Sequence, residues 1–253
     1  MIQNAYTEEK GMLEPGMFYG RGEQQFQVLI MTFSQQLMES LLKAGRIRRS
    51  RDVRTSINGD QWVYEVVGNE QIGLFKTGIG APISVCNAEE LTYITGAQHV
   101  ITFGSCGALD SGITAGKIII PDRSWRDEGT SYHYMPASDW IEMKGAAALE
   151  RLFDEWHVPH VSGGNWTTDA LYRETAGAAA RHRADGCICC DMEASALEAW
   201  SQYRNLGFYT FFYSADALEE TGWDRRILGN EGEISPVGAL FNLAVAVGSQ
   251  LLK

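Results

Sequence analysis

No stretch of this 253-residue sequence approaches the run of about 18 apolar residues that a membrane-spanning helix needs. The opening residues, MIQNAYTEEKGMLEPG, hold no apolar core of a secretory signal. Positive charge is also scarce. Lys and Arg number 21 against 32 Asp and Glu, for a net charge of −11, whereas a nucleic-acid groove needs clustered cations. The cysteines are five, an odd count, and three of them crowd into Cys187-Ile188-Cys189-Cys190. That pattern is not a disulfide framework, and without a second ligand pair it is not a zinc site. Small buried hydrophobes are the better reading. Neither HExxH nor a repeated CxxC occurs, so no metal is expected. Gly78-Ile79-Gly80 lacks the third glycine of a dinucleotide fingerprint. What remains is a cytoplasmic protein that binds neither membrane nor nucleic acid and takes a small ligand.

No repeat, low-complexity tract or linker divides the chain, so residues 1–253 read as one domain, with residues 1–25 an irregular leader. A chain of this length buries roughly 70–75% of its unfolded surface and needs no staples. Apolar runs at Phe26–Phe33, His99–Phe103, Ala115–Pro121, Val158–Ser162, Cys187–Cys190 and Gly207–Tyr213 predict strands. Gln61–Val67 and Gln71–Thr77 predict a hairpin about Gly68-Asn69. Helices are expected after Ser34 to about Ala44, from Pro82 through Leu91, over Asp139–Trp156, around Ala176–Arg183, after Glu193, and over Pro236–Leu252. The basic segment Arg46–Arg54 reads as a solvated connection, and Arg123–Tyr134, Gly163–Thr175 and Leu218–Glu233 as polar loops. Alternating strands and helices define an α/β protein with a mixed central sheet.

The stretch that organises the chain is Cys187–Trp200, CICCDMEASALEAW. A buried strand that empties into a helix puts Asp191, Met192 and Glu193 at the carboxyl edge of a sheet, where open α/β sheets bind ligands. Glycines at Gly78-Ile79-Gly80 and in Gly104-Ser105-Cys106-Gly107 let backbone approach a ligand, and N–H groups of the second could hold an anion.

Four segments together resemble the nucleoside phosphorylase/nucleosidase family, which includes purine nucleoside phosphorylase, uridine phosphorylase and methylthioadenosine nucleosidase. They are GIGAP…EEL at Gly78–Leu91, FGSCGAL at Phe103–Leu109, DMEASAL at Asp191–Leu197 and SAD at Ser214–Asp216. RDEGTSYHY and WTTDALYRET are closest to the uridine-phosphorylase-like branch. The resemblance implies a partly barrel-like sheet flanked by helices, a homo-oligomer (dimer or trimer of dimers) and no cofactor beyond phosphate as co-substrate. It further implies cleavage of a nucleoside N-glycosidic bond, by a pentosyltransferase that yields free base and (deoxy)ribose 1-phosphate. The alternatives are a nucleosidase using water and a non-catalytic nucleoside-binding protein.

Carried over residue by residue, Met192 packs under the ribose and Glu193 accepts hydrogen bonds from its hydroxyls, unless Glu193 instead satisfies the N–H groups of its own helix. Asp191 is more structural. Asp216 matches the acid that meets a purine, or else caps its loop; the extra Ala215 loosens the match. Trp166 and Tyr172 wall the base pocket, because nucleobases stack on aromatics, or else are ordinary core, and Arg173 faces a pyrimidine carbonyl or solvent. Gly104, Ser105 and Gly107 hold phosphate. Two phosphate arginines of the family are absent, with Thr102 and Gln36 in their regions; Arg49, Arg51 or Arg54 of a neighbouring copy would be substitutes. His133 reads as an exposed loop histidine.

Overall fold

A computed structural model describes residues 2–56, 59–219, 222–226 and 234–253. Strand β1 (Val28–Thr32) is buried at every position, as an apolar run with neighbours on both edges must be. It runs parallel to β4 (Asn69–Lys76) on one edge and β5 (His99–Ala108) on the other. Ser34 then starts α1 (Gln35–Lys43): its hydroxyl accepts from Leu37 N–H at 3.1 Å, and Leu37, Met38 and Leu41 supply the buried stripe.

The basic segment is not a solvated connection but a strand, β2 (Ile47–Ser56), antiparallel to β3 (Gly59–Val66). Pairing gives its arginines partners: Arg48 meets Glu65 at 2.5 Å and Arg49 stacks 4.0 Å above the Trp62 ring. The side chains of Arg51 and Arg54 lie outside the described residues. The β3–β4 turn falls on Val67-Gly68, with Gly68 at φ 89°. Helix α2 (Ala81–Thr95) begins after Gly80, at φ 112° a conformation that excludes a side chain, and Pro82 in its first turn needs no N–H partner.

The remaining elements are α3 (Ser111–Thr114), β6 (Ile118–Asp127), β7 (Trp140–Glu142), α4 (Ala146–Glu155), β8 (His160–Thr168), α5 (Ala176–Ala184), β9 (Cys187–Asp191), α6 (Ala194–Arg204), β10 (Gly207–Glu219), β11 (Gly222–Asp224) and α7 (Ile234–Leu251). The strands form one mixed sheet in the order β11-β10-β6-β8-β9-β5-β1-β4-β3-β2, with β7 beside β6. Because β10 pairs with β5 as well as β6, five strands close into a ring, β5-β9-β8-β6-β10. Helices flank this sheet, and the fold is the expected partly closed α/β architecture.

Closure changes where strands end. β6 continues through Arg123–Asp127, β8 through Gly163–Thr168 and β10 to Glu219, all expected as loop or strand end. Each polar extension finds ladder partners across the ring, so hydrogen bonding rather than apolar burial holds it. The helix expected from Asp139 starts only at Ala146, because Trp140–Glu142 is recruited as edge strand beside Arg123–Trp125. The rest of the Arg123–Tyr134 loop is pinned down. Buried Arg126 donates to Ser131 Oγ (2.9 Å), Ser138 Oγ (2.9 Å) and Pro136 O (2.7 Å), and Glu128 accepts from Ser195 Oγ of α6 at 2.9 Å.

One buried carboxyl on α6 gives the fold a pH dependence. Glu198 Oε1 accepts from Lys144 N–H at 3.2 Å and Gln202 Nε2 at 2.7 Å, but Oε2 has no partner. Burial pushes it up to about 7 from the ordinary 4.5. The unfolded chain therefore releases this proton at lower pH than the folded one. The stability Glu198 contributes is complete below about 4.5 and is lost as pH rises to about 7. Glu198→Gln should flatten that slope, an effect of order 3 kcal/mol. Melting temperatures at pH 5 and pH 8 test this: the drop should be smaller in the variant, and an equal drop in both proteins would contradict it.

No helix among the described residues is long and apolar enough to cross a membrane.

Candidate active site

Asp191 ends β9, and its carboxylate is fully engaged. Oδ1 accepts from Asn165 Nδ2 and Thr167 Oγ1 of β8, both at 2.7 Å; Oδ2 accepts from Glu193 N–H at 3.0 Å and Ala194 N–H at 2.7 Å. Asp191 thus ties β8 to β9 and also satisfies the first donors of α6. Burial pushes its carboxyl up, and the four hydrogen bonds work against that push.

Because Asp191 does the capping, Glu193 is free for something else. Its side chain makes no helix cap, is 9% exposed, and accepts from Gly80 N–H at 2.6 Å through Oε1. Two motifs that lie 113 residues apart therefore meet in a single hydrogen bond. Burial, then the charge of Asp191, raises the Glu193 carboxyl well above the usual carboxylate range.

The glycine-rich motif Gly104–Gly107 lies inside β5, not in a loop after it. One edge pairs continuously with β10. On the other, pairing with β1 stops at Thr102 and pairing with β9 starts at Gly107. The Phe103–Cys106 edge is left unpaired beside the Glu193 carboxylate, a place for backbone donors to meet a ligand. Gly107 leaves room for its neighbours: a Cβ there would stand 2.9 Å from Cys190 Sγ, so any larger residue would have to displace that buried thiol.

The inserted Ala215 has a geometric purpose. Ser214 pairs with Cys106 and Asp216 with the next residue, Gly107, so Ala215 is a β-bulge. Two residues apart in a regular strand, Ser214 and Asp216 would share a face; because the bulge absorbs Ala215, they occupy successive ladder positions and opposite faces. Ser214 thus lines a different hollow and Asp216 turns towards the motif residues, where Trp223 Nε1 donates to its Oδ2 at 2.7 Å.

These groups surround a cavity of about 180 Å³ lined by Gly104–Gly107, Met192, Glu193, Asp216, Glu174, Phe33 and Phe212 among others. Three larger hollows, of about 590, 560 and 610 Å³, contain none of the DME, GSCG or Asp216 side chains. Of the residues expected to serve, Met192, Glu193, Asp216, Gly104, Ser105 and Gly107 come together here. Trp166, Tyr172 and Arg173 do not line this cavity. Trp166 lies on the face of β8 opposite Asn165 and Thr167, stacked on His182 with ring centroids 4.3 Å apart and donating to Asp127 Oδ2 at 3.0 Å. Tyr172 (96% exposed) and Arg173 sit on the outside of a 3₁₀ turn, while their neighbours Leu171 and Glu174 line the cavity. His133 is exposed.

Glu174 and Phe33 are site groups that sequence reasoning missed, whereas the Gly78–Gly80 backbone was expected to approach a ligand. Glu174 stood in the family-like run WTTDALYRET, but only the turn decides which of its residues face inward.

At the edge expected to hold phosphate, no cation occurs among the described residues. Thr102 Oγ1 donates to Thr210 Oγ1 at 2.7 Å inside the core, Gln36 is exposed on α1, and no Lys or Arg among the described residues lines the cavity. Cys106 and Cys190 reach its wall as free thiols, and burial pushes both upward. No cluster of three or more His, Cys, Asp or Glu that could hold a metal occurs among the described residues.

A ring-closed α/β sheet with a small cavity at its strand ends, walled by buried carboxyls and a glycine-rich edge, is the framework of a small-molecule enzyme family. The chain belongs to the phosphorylase superfamily, whose family model matches residues 28–225. It is similar to a DeoD-type purine nucleoside phosphorylase of Brevibacillus brevis, 24% identical over 207 residues that cover 76% of this chain and 88% of the relative. A uridine phosphorylase of Thermococcus kodakarensis is 37% identical over 107 residues, 40% of this chain and 37% of the relative. An uncharacterised protein of Acanthamoeba polyphaga mimivirus is 29% identical over 143 residues, 56% of either chain. In fold, the chain is similar to the purine nucleoside phosphorylase of Toxoplasma gondii solved with immucillin-H, with a TM-score of 0.71 at 19% identity over 95% of this chain and 96% of that one.

Proposed function

We propose that this chain cleaves the N-glycosidic bond of a nucleoside by phosphorolysis, giving free base and (deoxy)ribose 1-phosphate. The observation that carries the reading is the buried Glu193 carboxyl, released from helix capping by Asp191 and set beside the unpaired β5 edge. Bond cleavage builds positive charge on the sugar. A carboxylate accepting from ribose hydroxyls opposes that charge more strongly in the transition state than in the ground state. Hydroxyl donation and the growing cation both favour the ionised form of Glu193. Met192 supports the sugar, while Gly104, Ser105 and Gly107 place phosphate at the anomeric carbon. The turn that carries Tyr172 and Arg173 borders the base end through Leu171 and Glu174, with Trp166 as the buried support of β8. The reaction needs no cofactor. The working unit is a cytoplasmic homo-oligomer, in which Arg49, Arg51 or Arg54 of a neighbouring copy completes the phosphate site.

A second reading, hydrolysis by water, is favoured by one observation: no described cavity residue carries the cation that would balance a phosphate dianion. Base release from a nucleoside panel with and without phosphate separates the two. Phosphorolysis predicts that turnover requires phosphate and yields a sugar phosphate. Full-rate release in phosphate-free buffer would leave hydrolysis, and nucleoside binding without release would leave a binding protein.

A further inference from the structure

The cavity contains two carboxyls besides those of the DME motif, Glu174 and Asp216, and their surroundings differ. Asp216 is supplied with a hydrogen-bond donor and a cation. Trp223 Nε1 donates to Oδ2 at 2.7 Å from β11, which β10 holds in register through Leu218↔Trp223, and the Arg226 cation acts on the same carboxyl. Glu174 has no such help. It follows the 3₁₀ turn Leu171–Arg173 and precedes Thr175, whose hydroxyl caps α5 by accepting from Ala178 N–H, so its backbone is held on both sides. Its half-buried carboxyl receives no hydrogen bond from a described residue, and it faces Asp216 of β10 and Cys190 of β9.

Two carboxyls sharing a small cavity ionise together only at high cost, and the donors around them decide which keeps the proton. Resting on the glycosidic-cleavage reading above, we propose that Glu174 is the general acid that protonates the departing base, and that Trp223 is a positioning residue that keeps Asp216 in its ionised form. As the anomeric C–N bond breaks, its electron pair passes to the base. The Glu174 O–H gives its proton to a nitrogen or oxygen of that base, leaving Glu174 as carboxylate. The phosphate oxygen bonds the anomeric carbon, and the proton phosphate sheds returns through solvent to Glu174.

The electrostatics agree with the geometry. Burial, then the charge of Asp216, pushes Glu174 up to about 7, where an acid is both protonated at neutral pH and able to give up its proton. Burial raises Asp216 too, but Trp223 and Arg226 pull it back, against a smaller upward push from Asp224.

The test is kcat between pH 5 and pH 9, on a nucleoside and on 4-nitrophenyl β-riboside, whose phenolate leaves without a proton. Wild-type kcat on the nucleoside should fall above about pH 7. Glu174→Gln should lower it roughly 100-fold, remove the alkaline limb and leave KM little changed, while cleavage of the nitrophenyl riboside stays within about threefold of wild type. Glu174→Ala should regain nucleoside turnover when formate is added. Trp223→Phe, which keeps the ring but not the N–H, should shift the alkaline limb. Undiminished nucleoside turnover in Glu174→Gln, or equal losses on both substrates with no rescue by formate, would overturn the acid role. A wild-type protein that releases base from no nucleoside would overturn the glycosidic reading itself, and the acid role with it. The two failures are therefore distinct.

Discussion

Glu193→Gln is expected to abolish turnover in a protein that remains fully folded. Removing one group aimed at transition-state charge costs on the order of 10²- to 10³-fold in rate, and a carboxylate facing a growing cation belongs at the upper end of that range. The fold should tolerate the change because α6 does not depend on this side chain: Asp191 accepts from the first N–H groups of the helix. The amide oxygen of glutamine can still accept from Gly80 N–H, now made by Glu193 Oε1 at 2.6 Å. Glutamine also removes a buried ionisable group that burial disfavours, so stability above neutral pH should be equal or higher. Steady-state kinetics on a nucleoside, together with melting curves, check both halves. A folded, fully active Gln variant would take Glu193 out of the ribose role.

Asp191→Ala should show the opposite signature, a large loss of stability. The substitution strips acceptors from Asn165 Nδ2, Thr167 Oγ1 and two backbone N–H groups in a buried setting. Buried donors left unsatisfied cost about 1–3 kcal/mol each before relaxation, so a total of roughly 3–5 kcal/mol is expected. Asp191→Asn should fall between, since an amide keeps the shape but turns an N–H donor towards donors. Chemical denaturation of the three proteins tests the order. An Asp191→Ala variant with wild-type stability would show that β8, β9 and α6 are held by something else. The two carboxylates of one three-residue motif thus separate cleanly: losing Asp191 unfolds, and losing Glu193 silences.

Where the sequence was legible, a local rule was in force. Ser34 sits ahead of a periodic apolar stripe and caps α1; Thr175 caps α5 in the same way. The apolar Cys187–Cys190 run that stops at Asp191 became a buried strand leading into α6. Illegible segments were those whose partners come from far along the chain. Arg46–Arg54 has the composition of a solvated linker, and it forms a strand because β3 offers it a ladder. Arg123–Asp127 and Gly163–Thr168 are polar or glycine-rich, and they form strands because β7 and β8 flank the first and β6 and β9 the second.

The site divides along the same line. Motif spacing placed Met192, Glu193 and the GSCG run on the cavity wall: the first two follow a strand end that the local pattern fixes, and the glycines, though inside β5, leave room beside them. Face selection over β8 and the following turn could not be read. Period-two alternation turns Trp166 away from Asn165 and Thr167, and the 3₁₀ turn after Thr168 sends Tyr172 outward and Glu174 inward. One residue of register there exchanges a base-stacking ring for an acid.

By itself, the sequence determined the α/β class and the strand-to-helix junction at Asp191–Glu193, because short-range hydrophobic and capping patterns carry that information, and the family, through the resemblance of four motifs in register. Only the tertiary structure decided that Asp191 caps so that Glu193 need not, that the Ala215 bulge turns Asp216 inward, and that Glu174 joins it. Those outcomes depend on hydrogen-bond partners from β8, on the β10–β5 closure and on the β10–β11 pairing that brings in Trp223, contacts that strand pairing makes and local pattern does not specify.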